Sequence, residues 1–131
     1  MKTITVRSTR RHEMIDITTQ IQQVVTVSKV TTGIVIVFVP HTTAAVTINE
    51  GADPSVQQDI ITTLKQIIPE HGHYDHAEGN SDAHITASLI GASETILIEN
   101  GKLILGTWQH VFFYEGDGPR NRTVYLSILS Q

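Results

Sequence analysis

The chain contains the apolar run Ile34-Val-Ile-Val-Phe-Val39, which begins just after Gly33 and ends before Pro40. Its length suits a β-strand, and the lack of polar residues within it is typical of a central strand covered on both faces. The glycine and the proline mark the two ends of the strand, because these residues commonly interrupt regular structure. The run therefore predicts a buried central strand in a sheet.

Segments with β-branched or alternating apolar residues predict further strands on both sides of this run. The first two segments, residues 3–8 and 12–17, are separated only by Thr9-Arg10-Arg11, and we expect them to form a hairpin. Later in the chain, Asn100-Gly101 is typical of a type I′ hairpin turn between two strands. The other predicted strands cover residues 44–48, 85–90, 95–99, 102–105, 109–114 and 122–129.

Two helices are predicted in the first half of the chain. Asp53 and Pro54 form a typical helix start, with aspartate as the N-cap and proline in the first turn. Apolar residues then recur at helical spacing through residues 56–68, until Pro69 stops the helix. A shorter helix is expected over residues 18–29, where threonines offer an N-cap. Many strands with two helices predict an α+β fold, with the helices packed on one face of a mostly antiparallel sheet.

The composition limits the class of protein. A length of 131 residues fits a single domain spanning residues 1–131. There is no cysteine, so no disulfide and no thiolate chemistry is available. The formal net charge is −4, with scattered basic residues, and nucleic acid is therefore not an expected partner. We find no signal peptide and no apolar stretch long enough to span a membrane, so a cytoplasmic protein without membrane contact is expected.

Histidines are concentrated in one polar stretch. Four of the seven lie between residues 71 and 84, in a predicted loop over residues 70–84, and His41 directly follows the central apolar run. Imidazole is the commonest metal ligand and titrates near neutral pH, so the cluster indicates a metal site, proton transfer or both. The spacing matches no standard zinc motif. A metal site could combine His41, loop histidines and a carboxylate such as Asp82, but structural histidines are the alternative.

Other polar and aromatic residues have both a functional and a structural interpretation. Glu50 and Asp53 flank a helix start, where N–H groups favour anions, although Asp53 is explained by capping alone. Arg120 and Arg122 could hold a phosphate, or could lie in a solvated turn. Trp108 could stack on a flat ligand, but core packing is the commoner role.

Six short motifs occur in a characteristic order along the chain. They are His41-Thr-Thr-Ala, Asn49-Glu50, Asp53-Pro54, Gly72-x-Tyr74-x-His76, Asp82-x-His84-Ile85 and Gly106-Thr107-Trp108-Gln109. Together they resemble the YjbQ-like family, also called the secondary thiamine-phosphate synthase family, over nearly the whole chain. The Gly-Thr-Trp-Gln motif is the most specific of the six.

The resemblance implies a compact α+β fold, a homotrimer and a site near the subunit boundaries. It implies that His41, His76 and His84 hold a divalent metal. Three histidines suit zinc, whereas magnesium would come with a diphosphate substrate. The catalytic residues expected on this basis are Glu50, Asp82, Trp108 and Gln109, and the expected substrate-binding residues are Asn49, Asp53, Arg120 and Arg122.

The activity implied by the resemblance is a weak thiamine-phosphate synthase reaction. In it, a hydroxymethylpyrimidine diphosphate loses pyrophosphate, and the nitrogen of a thiazole phosphate attacks the freed carbon. Two alternatives are a metal-dependent hydrolase of a small phosphorylated or acylated metabolite and a non-catalytic module that binds a small anion. In all three cases the expected partner is a small molecule, phosphorylated in the first. A serine hydrolase built from Ser81, Asp82 and His84 is disfavoured because the chain has no Gly-x-Ser-x-Gly motif.

Overall fold

The central apolar run forms strand β3 (Gly33–Phe38), which lies in the middle of a five-stranded sheet. This computed structural model describes residues 1–131. The other strands of the sheet are β1 (Lys2–Arg7), β5 (Ser93–Glu99), β6 (Lys102–Leu103) and β8 (Asn121–Ser130). The order across the sheet is β1-β8-β3-β5-β6, and every neighbouring pair is antiparallel. The prediction of a central strand is therefore confirmed.

A second, three-stranded antiparallel sheet faces the first. Its strands are β2 (Glu13–Asp16), β4 (Ala44–Glu50) and β7 (Gln109–Glu115), in the order β2-β7-β4. The predicted hairpin between the first two strands is wrong, because β1 pairs with β8 and β2 pairs with β7. The short connection after β1 instead carries the chain from one sheet to the other.

The main hydrophobic core lies between the two sheets. Val35 and Val37 of β3 are fully buried and belong to the same apolar cluster as Val111 and Phe113 of β7. Helix α1 (Thr18–Ser28) adds its buried residues Ile21 and Val25 to this cluster, and its position confirms the helix predicted over residues 18–29.

Two further helices cover the other face of the three-stranded sheet. These are α2 (Pro54–Ile67) and α3 (Ser81–Ile90), and they pack on buried Phe112 and Tyr114. Helix α2 begins as predicted, with Oδ1 of Asp53 accepting a hydrogen bond from the backbone N–H of Ser55. The α+β class is confirmed, and two helices, α2 and α3, pack on one face of a sheet. There are three helices, and α1 packs in the core between the sheets.

Helix α3 corrects the prediction for residues 81–90. The sequence suggested a loop up to residue 84 and a strand over residues 85–90, whereas the whole segment is helical. The apolar residues Ala83, Ala87 and Ile90 follow at helical spacing, so one side of the helix packs towards the three-stranded sheet. The short apolar run after His84 could not separate a strand from a helix, and the histidine-rich loop therefore ends at residue 80.

The outer face of the five-stranded sheet is only partly covered. Leu97 and Leu129 are 61% and 48% exposed, and both lie opposite Ile34 in the sheet register. The prediction that the central strand is covered on both faces is therefore wrong for the isolated chain. We call Leu97, Ile34 and Leu129 the outer apolar row.

The predicted turn at Asn100-Gly101 is confirmed, since both residues have the positive φ angles, 52° and 74°, that a type I′ turn requires. None of the three helices is sufficiently long and apolar to cross a lipid bilayer.

Candidate functional site

A cleft of about 750 Å³ lies at the end of the five-stranded sheet where β3 ends and β8 begins. It brings together four of the predicted site residues from distant parts of the chain, namely His41, His84, Arg120 and Arg122. The lining also includes Thr43, Glu78, Asn80 and Asp117, which sequence reasoning missed. The only signal for Asp117 was its position in the long turn before β8.

His41 is held in one orientation by the edge of β8. Its Nε2 lies 3.0 Å from the backbone nitrogen and 3.1 Å from the carbonyl oxygen of Thr123, so it accepts from the first or donates to the second, depending on the tautomer. Burial, followed by the nearby charge of Arg122, lowers the pKa of His41. This shift favours the neutral ring at pH 7, and Nδ1 of His41 has no hydrogen-bond partner in the chain.

His84 lies on α3 between two cavities. Besides the cleft, it lines a smaller cavity of about 530 Å³ together with Tyr74, His76 and Ser81. The rings of His84 and His76 meet edge to face, with centroids 5.3 Å apart. Nδ1 of His76 lies 2.9 Å from Oγ of Ser81, whereas the ring of His84 makes no hydrogen bond. His84 is thus a histidine of the cleft whose two ring nitrogens have no hydrogen-bond partner in the chain.

The three histidines predicted as metal ligands do not form a metal site in this chain. No group of three histidine, aspartate or glutamate side chains converges closely enough to hold an ion. His76 and His84 are neighbours, whereas no third side chain joins them in one cluster. The residues present therefore supply two adjacent imidazoles rather than the predicted three.

The two arginines of the cleft have different roles. Arg122 is 4% exposed and forms an ion pair with the fully buried Glu115, in which Nε lies 2.9 Å from Oε1. Burial raises the pKa of Glu115, but the hydrogen bonds from Arg122, Asp117 and Ser8 together with the charge of Arg122 outweigh it and hold this pKa below its usual value. Arg120 is half exposed and is tied to Asp117, with Nη2 3.1 Å from Oδ2. Arg120 is therefore the accessible cation, and Arg122 mainly stabilises the fold.

Asp82 does not reach the cleft. Its two carboxylate oxygens each lie 3.0 Å from a terminal nitrogen of Arg11, in a bidentate ion pair that leaves Asp82 almost fully buried. Burial raises the pKa of Asp82, but the hydrogen bonds and charge of Arg11, together with the backbone N–H of Ala83, hold it below the usual value. The structure therefore gives Asp82 a structural role, because it joins the connection after β1 to the start of α3.

The remaining predicted residues lie at the opposite end of the three-stranded sheet. Strand β4 starts beside the cleft at Ala44 and reaches Glu50 about 20 Å away, at roughly 3.3 Å per residue. There, Oε2 of Glu50 accepts a hydrogen bond of 3.1 Å from the backbone N–H of Asp53. The side-chain and backbone hydrogen bonds from Ser55 lower the pKa of Asp53, which fits its role as a helix cap.

Asn49, Trp108 and Gln109 belong to this distant group. Oδ1 of Asn49 accepts a bond from the N–H of Glu50, and Oε1 of Gln109 accepts one of 2.7 Å from the N–H of Gly106. Trp108 is 62% exposed, so it does not pack in the core of this chain. The predicted site residues therefore fall into two groups, which one chain does not bring together.

The chain is thus a small α+β protein of two facing antiparallel sheets and three helices. A histidine-lined cleft of ligand size lies at one end of the larger sheet. The family described as UPF0047 protein YjbQ-like matches residues 2–131, and the chain belongs to this family. It is 52% identical to the UPF0047 protein MJ1081 of Methanocaldococcus jannaschii over 124 residues, covering 95% of this chain and 90% of that protein. It is 45% identical to YugU of Bacillus subtilis, covering 98% of each.

Solved structures of similar proteins have the same fold. A YjbQ/UPF0047 family protein of Clostridium acetobutylicum superimposes with a TM-score of 0.97 at 49% identity, covering 98% of this chain and 100% of that one. A YbjQ-like protein of unknown function from Sulfolobus solfataricus gives a TM-score of 0.95 at 36% identity, covering 99% and 96%.

Proposed function

We propose that this chain is an enzyme that acts on a small phosphorylated metabolite in the histidine-lined cleft. The observation that carries the proposal is the convergence of His41, His84 and Arg120 on one cleft from separate parts of the chain. A volume of about 750 Å³ suits a small ligand, since such pockets span roughly 300–1,000 Å³. The cleft offers two imidazoles with unpartnered ring nitrogens, those of His41 and His84, and an accessible cation, which together suit a phosphate group.

The reaction we propose is of the thiamine-phosphate synthase type. The bond between carbon and the diphosphate oxygen breaks, pyrophosphate leaves, and the thiazole nitrogen forms the new bond with its lone pair. Arg120 stabilises the charge that develops on the leaving diphosphate, and His41 donates a hydrogen bond to the same group when Nδ1 carries the ring proton. His84 supplies a further hydrogen bond to the same group. These roles need donors at the leaving group and do not use Asp82.

The predicted divalent ion, zinc or magnesium, stays a prediction. The residues that would hold it are His76 and His84, with the remaining ligands supplied by the substrate or by a second chain. The roles of His41 and Arg120 do not depend on that ion.

We also propose that the chain forms a homotrimer. The outer apolar row presents Leu97 and Leu129 on a broad sheet face, and pairing this face with another copy would remove both side chains from water. A neighbouring copy would also bring the exposed Trp108 and the half-buried Glu50 towards a cleft that they do not reach within their own chain.

The test is an assay with hydroxymethylpyrimidine diphosphate, with and without thiazole phosphate, that follows thiamine phosphate and pyrophosphate by mass spectrometry. We expect thiamine phosphate from the unaltered chain and its loss in His84→Ala. The matched control is His71→Ala, because His71 is highly exposed and lines neither cavity.

Three results would contradict the proposal. Pyrophosphate or phosphate released at the same rate without thiazole phosphate would indicate a hydrolase. Binding that raises the melting temperature without turnover would indicate a binding module. Equal activity of His84→Ala and His71→Ala would show that the cleft does not take part in the reaction.

A further inference from the structure

A second pair of titratable side chains lies away from the cleft, at the far end of the three-stranded sheet. Nδ1 of His110 is 2.5 Å from Oδ2 of Asp16, so Nδ1 carries a ring proton and donates a hydrogen bond to this carboxylate. Both side chains are partly exposed, and Nε2 of His110 has no hydrogen-bond partner in the chain. Neither residue is used in the reaction proposed for the cleft.

The surrounding residues hold this pair in one geometry. The other oxygen of Asp16 accepts hydrogen bonds from the backbone N–H of Thr18, at 3.0 Å, and from its hydroxyl, at 2.6 Å. The imidazole of His110 lies directly on the backbone of Gly51, where a Cβ atom would come 2.1 Å from the ring. It also stacks on Phe112, with centroids 6.4 Å apart. A carboxylate that fixes the Nδ1–H tautomer leaves Nε2 as an oriented proton acceptor.

An apolar groove lies beside the pair. It has a volume of about 540 Å³ and lies between α2 and the outer face of the three-stranded sheet. Its apolar lining consists of Val56, Ile60, Leu64, Ile90 and Tyr114.

Asn49 joins the groove to the pair. It lines the groove and lies directly opposite His110 in the register of β4 and β7, which places the two Cβ atoms about 5 Å apart. Because Oδ1 of Asn49 accepts the N–H of Glu50, its amide N–H₂ group is left as a donor. The groove is thus apolar along most of its lining. At one end, the amide donor of Asn49 lies next to Nε2 of His110, the proton acceptor.

We propose that the Asp16–His110 pair is a general base that hydrolyses a neutral carboxylic ester whose apolar part lies in this groove. Nε2 of His110 accepts a proton from water while the water oxygen bonds to the acyl carbon, and Asn49 donates a hydrogen bond to the carbonyl oxygen. The ester C–O bond then breaks, and the leaving alcohol takes the proton from His110. The acid that forms releases its own proton to solvent.

The preference for a neutral ester follows from the local charge. The groove is lined by Asp59 and by no lysine or arginine, and Asp16 and Glu50 lie nearby. An anionic substrate would be repelled there, whereas the cleft at the other end of the sheet offers Arg120. The two sites therefore differ in the chemistry of their ligands, and the second does not depend on the first.

The experiment uses the full chain with p-nitrophenyl butyrate and follows the release of p-nitrophenolate at pH 7.5. We expect His110→Asn to lower kcat/KM by about 10²-fold, the lower end of the usual effect of a general base. The control is His71→Asn, which removes an exposed histidine far from the groove and should leave the rate unchanged. Thr63→Trp places a bulky ring in the groove and should raise KM with less effect on kcat.

Asp16 is a positioning residue, and Asp16→Asn tests it because an amide oxygen can still accept from Thr18. We expect at least a tenfold loss of kcat/KM together with a mixed tautomer of His110 in ¹⁵N NMR spectra. Circular dichroism confirms that each variant is folded. The proposal is overturned if His110→Asn keeps the parent rate, or if the unaltered chain is no faster than the same concentration of free imidazole.

Discussion

Arg122 and Glu115 form an ion pair beneath the cleft, and both side chains are almost completely removed from solvent. Arg122 also donates a hydrogen bond of 2.9 Å from Nη2 to Oγ1 of Thr43, which joins the start of β8 to the residues before β4. The pair therefore supports the cleft from below by fixing two of the segments that line it.

Removing one partner of this pair should destabilise the fold strongly. We expect Glu115→Ala to lower the free energy of unfolding by about 3–5 kcal/mol, because Arg122 would remain buried without a counter-charge. Arg120→Ala breaks only the exposed pair with Asp117 and should cost less than about 1 kcal/mol. Urea titrations monitored by circular dichroism measure both values. Similar losses of unfolding free energy in the two variants would show that the buried pair stabilises the fold no more than the exposed pair does.

The fold should lose stability in acid. The pKa values of Asp82 and Glu115 lie below their ordinary values of 3.8 and 4.5, so both carboxylates stabilise the folded state when charged. Their contribution is fully present above about pH 5.5, one unit above the higher ordinary value, and is lost as the pH falls through the lowered pKa values. Asp82→Asn should flatten this dependence. An unchanged slope in urea titrations from pH 6 to 3 would contradict the assignment for Asp82.

Divalent metal binding should depend on two histidines rather than three. We expect isothermal titration calorimetry with Zn²⁺ to lose its signal in His76→Ala and in His84→Ala, whose rings are adjacent. His41→Ala should keep most of the affinity, because His41 does not join His76 and His84 in a cluster of three ligands. His71→Ala serves as the control. Loss of binding in His41→Ala as well would support the three-histidine site predicted from the sequence.

Assembly should depend on the outer apolar row. We expect Leu97→Lys to shift the chain from trimer to monomer in sedimentation velocity, because a charge would have to be buried between copies. Leu89→Lys is the matched control, since Leu89 is equally exposed but lies on α3. A trimer that persists in Leu97→Lys, or a chain that is monomeric without any substitution, would rule out this face as the interface.

Local patterns predicted much of the fold. The run after Gly33, the capped start of α2 at Asp53 and the turn at Asn100-Gly101 were all identified correctly, because each depends on neighbouring residues alone. The hairpin between the first two strands was not, since the choice of β7 or β8 as a partner depends on residues about 100 positions away. Residues 85–90 were misassigned because a short apolar run suits a strand and a helix equally well.

The site shows the same limit. The histidines and the arginines near Asn121 indicated residues that line the cleft. The sequence could not show that Arg11 forms an ion pair with the carboxylate of Asp82. That ion pair spans 71 positions and belongs to no motif. His110 was overlooked for a related reason, because its partner Asp16 lies 94 positions away.

The exposed position of Trp108, the only tryptophan in the chain, makes the protein's intrinsic fluorescence a reporter of its surface. In an isolated folded chain the indole is already in contact with water, so unfolding changes its emission little. A shift of that emission to shorter wavelength would instead record the moment when another molecule covers this end of the three-stranded sheet.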